Sequence, residues 1–245
     1  MNLGLSPRRG TGHCHPLMKS GFLLLAMLIG IHLRAAPEQS APARTFNPAE
    51  PVMNFALPDS KGRLHELRRT DAKAIVLYFT INGCPIARQS YAKLRSLRRE
   101  FAEQGVVFWI INSDDSLTAA EVEKEAKTYG AGSTPALLDD AQGVTRMLGV
   151  TRTCEAVAIS TKDFKVIYRG AIDDQLTEGG RKPAPTANYL KHALDEFVAG
   201  KPISHSSSVV RGCLIDLKSS SAPSYAKDIA PLLEQKCVQC HSPGN

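Results

Sequence analysis

"AIVLYFTINGCPIARQSYAKLRSLRREF", Ala74 to Phe101, decides the architecture. Its first seven residues form a continuous apolar run of strand length, as expected of a central strand buried on both faces. Asn82-Gly83 then marks a turn. Beyond it, Leu94, Leu97 and Phe101 recur on one face of a helix, with Arg88, Lys93, Arg95 and Arg99 elsewhere around it, and Gly105 stops it. Cys84 falls where this helix begins. Helix N-termini carry partial positive charge and free N–H groups that stabilise a thiolate, and Pro85 suits the first turn. Arg88, one turn on, would add to that stabilisation. Cys84 therefore reads as an accessible, reactive thiol. The alternative is a buried, inert cysteine, which fits poorly beside a surface turn.

The same periodicities extend outward. Phe55 to Thr70 reads as a hairpin about Ser60-Lys61-Gly62. Val106 to Asp114 is a second buried strand, Glu121 to Tyr129 a charged helix, and Pro135 to Asp140 a third, short strand. Glu155 to Ser160 and Lys165 to Ile172 make a strand pair turning at Lys162-Asp163. Thr186 to Ala199 is a helix with Leu190, Leu194 and Phe197 inward, ended by Gly200 and Pro202. Hairpin, β, α, β, α, β, ββ, α is the order of an α/β protein: a central mixed sheet in three layers, with helices on both faces. A Ser-rich, extended tail follows from 203 to 223.

The first 36 residues have basic positions, then the apolar run Gly21 to Ile31, then small residues. That is an export leader, with cleavage near Ala36 or Ala43. The run is shorter than the roughly 20 residues a spanning helix needs, and an uncleaved anchor is the alternative. The leader holds four cations and no acid, so a formal charge of +6 falls to +2 without it, and the case for nucleic-acid binding goes with it. Residues 37–50 are a Pro/Ala/Ser-rich linker, and 51–202 the main domain. An exported, periplasmic or cell-envelope location puts five of the six cysteines (Cys84, Cys154, Cys213, Cys237 and Cys240) where disulfides persist. Membrane contact is expected only if the leader stays.

Residues 224–245 open with a short helical pattern that runs into Cys237-Val-Gln-Cys240-His241. This C-x-x-C-H is the pattern of covalent haem attachment, with two thioethers and His241 as an axial iron ligand. It looks like the start of a c-type cytochrome whose remaining helices and distal ligand do not follow. A fragment of a longer protein is the preferred reading, beside a vestigial motif or a pocket completed by a partner.

"YFTINGCPIARQSYAKL", "LGVTRTCEAVAIS", "VIYRGAIDD" and "ANYLKHALDEFVAGKPI" together resemble the redoxin branch of the thioredoxin-like superfamily. That branch is related to the peroxiredoxins, the alkyl hydroperoxide reductase and thiol-specific antioxidant group. The likeness covers roughly residues 50 to 202 and implies a thioredoxin-like fold. It departs from thioredoxin in lacking a second cysteine at Ala87. It departs from the peroxiredoxin P-x-x-x-T-x-x-C in having Leu77 for the proline and Ile81 for the threonine, with Thr80 one residue out of place. The resemblance places Thr153-Cys154 where such folds carry a Thr and cis-proline facing the reactive cysteine. Cys84 and Cys154 then form a redox pair or a structural disulfide. Closing that loop of about 70 residues would stabilise by ~4 kcal/mol in the chain-entropy model. Cys154 as a small core residue remains the plainer alternative. Cys213 lies in "VVRGCLIDL", a short apolar run of the tail that offers an added strand packed back on the domain, and is either a resolving thiol or inert.

The expected function is thiol-disulfide or peroxide-linked oxidoreduction at Cys84, with Cys154 as partner and Arg88 in support. A thiol, disulfide or peroxide substrate and a separate reductant would be its partners. The redoxin domain needs no cofactor, whereas covalent haem at Cys237, Cys240 and His241 belongs to the C-terminal segment. Two other classes stand beside it: a haem-bearing electron-transfer protein with the redoxin fold as scaffold, and a non-catalytic binding module with a structural disulfide.

Overall fold

The computed structural model describes residues 47, 49–177, 180–218, 225 and 229–238. The leader, most of the linker, Cys240 and His241 lie outside the described residues.

The central strand is β3 (Ala74–Thr80), and all seven of its residues are buried. It pairs in parallel with β4 (Val106–Asn112) on one side and antiparallel with β6 (Ala156–Ser160) on the other. With β5 (Ala136–Leu138) beyond β4 and β7 (Val166–Gly170) beyond β6, the sheet order is β5-β4-β3-β6-β7. Because side chains alternate along a strand, β3 feeds two cores. Val76 and Tyr78 face α1 (Pro85–Phe101), α2 (Ala119–Thr128) and α4 (Tyr189–Val198). Ile75, Leu77 and Phe79 face Leu67, Trp109 and α3 (Gly143–Met147). Helices thus cover both faces of a mixed sheet, as the residue patterns predict. The N-terminal hairpin of β1 (Ala56–Pro58) and β2 (Leu64–Glu66) is a separate two-stranded sheet, as is the small pair β8 (Leu176–Thr177) and β9 (Gly180–Arg181).

Three details depart from the expected pattern. Five-residue α3 is too short to show a periodicity; the buried Asp139 carboxylate creates it by accepting the N–H groups of Val144 and Thr145 at 3.2 and 2.8 Å. Helix α4 starts at Tyr189 rather than Thr186, because Asp174 accepts the N–H groups of Thr186 and Ala187 and holds that turn out of the helix. The tail does not extend freely. Residues 206–218 run back over the domain: Arg169 N–H donates to Ser206 O, Ser208 N–H to Arg169 O, Ile215 N–H to Thr151 O and Lys218 N–H to Gln142 Oε1. Ile215 is buried in the second core.

Farther on, α5 (Ala230–Lys236) buries none of its residues, and Leu232 and Leu233 are exposed. Among the described residues no helix is long and apolar enough to cross a membrane.

Leu94, fully buried between α1 and the sheet, should be costly to truncate. Leu94→Ala is expected to lower the unfolding free energy by about 2–5 kcal/mol in urea denaturation.

Candidate active site

The end of β3 sets the site. The chain leaves the sheet at Thr80, turns at Asn82-Gly83 and enters α1 with Cys84 as its N-cap. Gly83 adopts φ +80°, a conformation in which a Cβ is strained. The turn is anchored by α2. Gly83 N–H donates to both carboxylate oxygens of the buried Glu125 at 3.0 Å, and Asn82 donates to Glu121 O at 3.2 Å. The Cys84 sulfur accepts the Ala87 N–H at 3.4 Å, in keeping with a place at a helix N-terminus.

Arg88 does not reach that sulfur. Its Nη2 donates to Glu125 Oε2 at 2.7 Å, and its guanidinium lies 4.4 Å above the centre of the Tyr129 ring. The expected thiolate partner is instead a positioning residue, acting on Cys84 through Glu125 and the Gly83 turn. A long, flexible cation goes to the buried carboxylate because an unpaired buried charge is costly.

Three cysteines meet at this point. The Cys84 and Cys213 sulfurs, both free thiols, are 2.7 Å apart. Cys154 faces Cys84 from the loop before β6 and hydrogen-bonds to it. Thr153 ties all three together. Its N–H donates to Cys213 O and its Oγ1 accepts the Cys213 N–H, both at 2.9 Å. With that lone pair used, its hydroxyl hydrogen is free for the Cys84 sulfur, 3.1 Å away. Gly212 is indispensable to the approach, because a Cβ there would lie 1.9 Å from Thr153 O.

Two expectations are corrected here. Cys84 is not an accessible thiol: it is 2 % exposed, roofed by the tail. Cys154 does not occupy a proline-like slot. Its φ is +67°, outside the range a proline ring permits, and its N–H donates to Phe79 O at 2.9 Å, a bond proline cannot make. Nor does Thr80 serve the sulfur. Its hydroxyl donates to Ile81 O, and the threonine at Cys84 comes from the loop before β6 instead. Sequence reasoning left Cys213 undecided. The signal for it was the alternation of Cys213, Ile215 and Leu217 beside a glycine, which marks a half-buried extended segment.

The electrostatics follow from the donors. Hydrogen bonds from Cys154 first, then from Cys213, Thr153 and the Ala87 N–H, hold the Cys84 thiol down to about 4 against the opposing effect of burial. Cys154 is pushed up by its bond to Cys84 and by burial, and Cys213 is pushed up by burial and by the same neighbour. Cys84 is therefore the thiolate of the group, and the other two stay protonated as its donors. The Tyr78 hydroxyl is buried beside Cys154 and Ser90 without a hydrogen bond of ordinary geometry.

A thioredoxin-like fold with a cysteine thiolate at its strand–helix junction defines a redoxin-type protein. The AhpC/TSA family model matches residues 48–171, and the chain belongs to that family. Cys84 and Cys154 fall within the matched span, and Cys213 lies beyond it. The chain is 27% identical, over 131 residues, to the thiol-disulfide oxidoreductase ResA of Halalkalibacterium halodurans, covering 53% of this chain and 72% of the relative. A hypothetical protein from Sinorhizobium meliloti superposes with a TM-score of 0.64 at 27% identity, covering 72% of this chain and 98% of its own. An uncharacterized conserved protein from Geobacillus kaustophilus gives 0.64 at 26% identity, covering 73% and 96%.

A thiol whose folded pKa lies below its unfolded value stabilises the fold fully above the unfolded value, 9.0, and loses that contribution as pH falls through about 4. The stability advantage of the reduced wild type over Cys84→Ser should accordingly shrink from pH 9 toward pH 4, read by urea denaturation under reductant. Thr153→Val removes one donor and should move the ultraviolet thiolate titration of Cys84 upward. A midpoint unchanged by that substitution would exclude Thr153 as a donor.

Proposed function

We propose that the chain is a thiol-disulfide oxidoreductase whose redox couple is Cys84 and Cys213. The observation that carries this is the 2.7 Å separation of their sulfurs, with Cys84 capping α1. Oxidised protein takes two electrons and two protons from a dithiol, which becomes a disulfide while the Cys84–Cys213 bond opens. The reverse direction reduces a disulfide. Loop entropy does not choose between Cys213 and Cys154, since the loop closed to Cys213 would stabilise by ~5 kcal/mol against ~4 for Cys154. Sulfur proximity chooses Cys213. The similarity to a protein named as a thiol-disulfide oxidoreductase supports the same activity.

Membership of the AhpC/TSA family favours a peroxide as a second oxidant. The Cys84 thiolate would displace the leaving oxygen of a peroxide to give a sulfenic acid and an alcohol or water. Cys213 would then condense with the sulfenic acid, releasing water and forming the same disulfide. With Cys84 roofed by residues 206–218, this route requires the tail to lift.

The test is equilibration with glutathione buffers, acid quenching and mass mapping. A Cys84–Cys213 disulfide that titrates reversibly, is absent in Cys84→Ser and persists in Cys154→Ser is expected. A Cys84–Cys154 bond in the wild type would overturn the assignment. A bond that glutathione never opens would favour the binding-module reading. Hydrogen peroxide in place of oxidised glutathione measures the second route.

Two further parts belong to the same reading. Export rests on the leader pattern of residues 1–36 and is tested by N-terminal sequencing of protein recovered from the periplasm. Covalent haem rests on the C-x-x-C-H. Cys237 directly follows α5, whose exposed Leu232 and Leu233 suit an apolar macrocycle. Cys237 and Cys240 would hold the group by thioethers and His241 would ligate iron, supplying one-electron chemistry to the C-terminal segment. Coexpression with haem-attachment machinery should give a covalent haem stain that Cys240→Ala abolishes; an unstained wild type would remove the haem from this reading.

A further inference from the structure

We infer that two adjoining hollows beside Cys154 form a binding site for a small carboxylate-bearing ligand of short-peptide size, held by Arg181. That such a ligand serves as a thiol or disulfide substrate rests on the Cys84–Cys213 couple proposed above. The site itself is argued from its walls.

The narrower hollow, of about 20 Å³, is lined by Cys154, by Ile86 and Ser90 of α1 and by Arg181 of β9. The wider one, of about 410 Å³, is lined by Leu176 and Thr177 of β8 and by Ser207 and Ser208 of the tail. Asp173, Leu176, Val209 and Arg211 line both, so the two spaces adjoin. A water needs roughly 10–15 Å³ on this measure, so the narrower hollow takes a single small group. The wider one falls within the range of about 300–1,000 Å³ typical of small-molecule sites. Because Cys154 hydrogen-bonds to the Cys84 sulfur, a group in the narrower hollow stands one residue away from the couple.

The walls select charge. Their described residues include four cations, Lys93, Arg181, Lys182 and Arg211, against two carboxylates, Asp173 and Asp174. Lys93 pairs with Asp173, and Lys182 with Asp174 at 2.5 Å. Arg181 is oriented differently. Its guanidinium donates to the amide oxygens of Gln89 and Gln175, the latter at 3.1 Å. Both acceptors are neutral, so they aim the fork without cancelling its charge. Gln175 is itself fixed: it is buried, and its Nε2 donates to Lys182 O at 2.8 Å and Pro183 O at 3.0 Å, which leaves its oxygen for Arg181. A planar guanidinium held this way matches the two oxygens of a carboxylate.

Tyr78 is an independent sign of a ligand. Its hydroxyl is fully buried and makes no hydrogen bond of ordinary geometry. The residues beside it, Ser90 and Cys154, both line the narrower hollow. Buried polar groups are ordinarily satisfied, and a ligand oxygen in this hollow supplies the missing acceptor. The tail contributes Val209 and Arg211 to both hollows, so the site is complete only while the tail is seated. Cys213 follows Arg211 by two residues, and occupancy of the site therefore favours the position in which Cys213 meets Cys84.

The experiment uses the full chain, kept reduced, with S-methylglutathione as probe. That molecule has carboxylates and short-peptide size but no exchangeable sulfur. Isothermal titration calorimetry should show saturable binding, about 10-fold weaker in Arg181→Gln through loss of a charge-assisted bond. Lys61→Gln removes the same charge from the β1–β2 turn, outside both hollows, and should bind as the wild type does. Circular dichroism first confirms that each variant is folded. The inference is overturned by an absence of saturable binding, by equal affinities of Arg181→Gln and wild type, or by equal losses in the two variants. Displacement of the probe by inorganic phosphate at matching concentration overturns it as well. A Cys84–Cys213 disulfide that titrates with glutathione, in a protein that does not bind the probe, removes this site and leaves the couple. Binding without that disulfide removes the couple and leaves the site.

Discussion

Strand β3, at the centre of the five-stranded sheet, is hydrogen-bonded on both edges and packed on both faces. Its seven buried residues serve two cores at once, so its register cannot slip without turning both inside out. Where its pairing ends, the chain must leave the sheet, and it does so at the turn that delivers Cys84 to the start of α1. The neighbouring strand β6 runs antiparallel, so the loop that precedes it arrives at the same end of the sheet, bringing Thr153 and Cys154. The reactive centre is thus a consequence of strand pairing.

The tail completes that centre. Its contacts are backbone hydrogen bonds to residues 151, 153 and 169, side-chain hydrogen bonds with Gln142, Arg146, Arg152 and Tyr168, an ion pair of Lys218 with Asp115, the buried Ile215, and a glycine that lets two backbones touch. The tail covers the thiolate and supplies its partner sulfur. Its attachment also limits water around Cys84, which strengthens every hydrogen bond aimed at the sulfur. The site trades access for stabilisation of charge, and the partly buried Cys213 is what keeps it in contact with solvent.

Around the sulfurs, a second set of groups holds the geometry without touching the chemistry. Glu125 accepts the Gly83 N–H and is neutralised by Arg88, which stacks on Tyr129. The ion pair is nearly dry on the carboxylate side, so losing either member strands a charge. Cys154 pays the conformational cost of a left-handed backbone, of order 1–3 kcal/mol, while lending its thiol to Cys84. Strain of this kind persists where packing over-determines a position, here between Tyr78 and Cys84.

The sequence by itself determined the sheet, its main helices and the placement of Cys84 at a helix start. Those features are local: an apolar run of seven residues, an i, i+3, i+7 stripe on α1 and an Asn-Gly turn all lie within a few turns of chain. Short α3 and the delayed start of α4 were illegible, because single carboxylates, Asp139 and Asp174, decide them across several residues. Only the tertiary structure decided that Cys84 is roofed, that Arg88 turns to Glu125, that Cys154 is left-handed and that Cys213 is the sulfur beside Cys84. That last contact joins positions 129 residues apart. No periodicity spans such a loop. Its closure depends on Gly212 fitting against Thr153 and on Ile215 finding a core, and both are properties of surfaces that exist only after the sheet has formed.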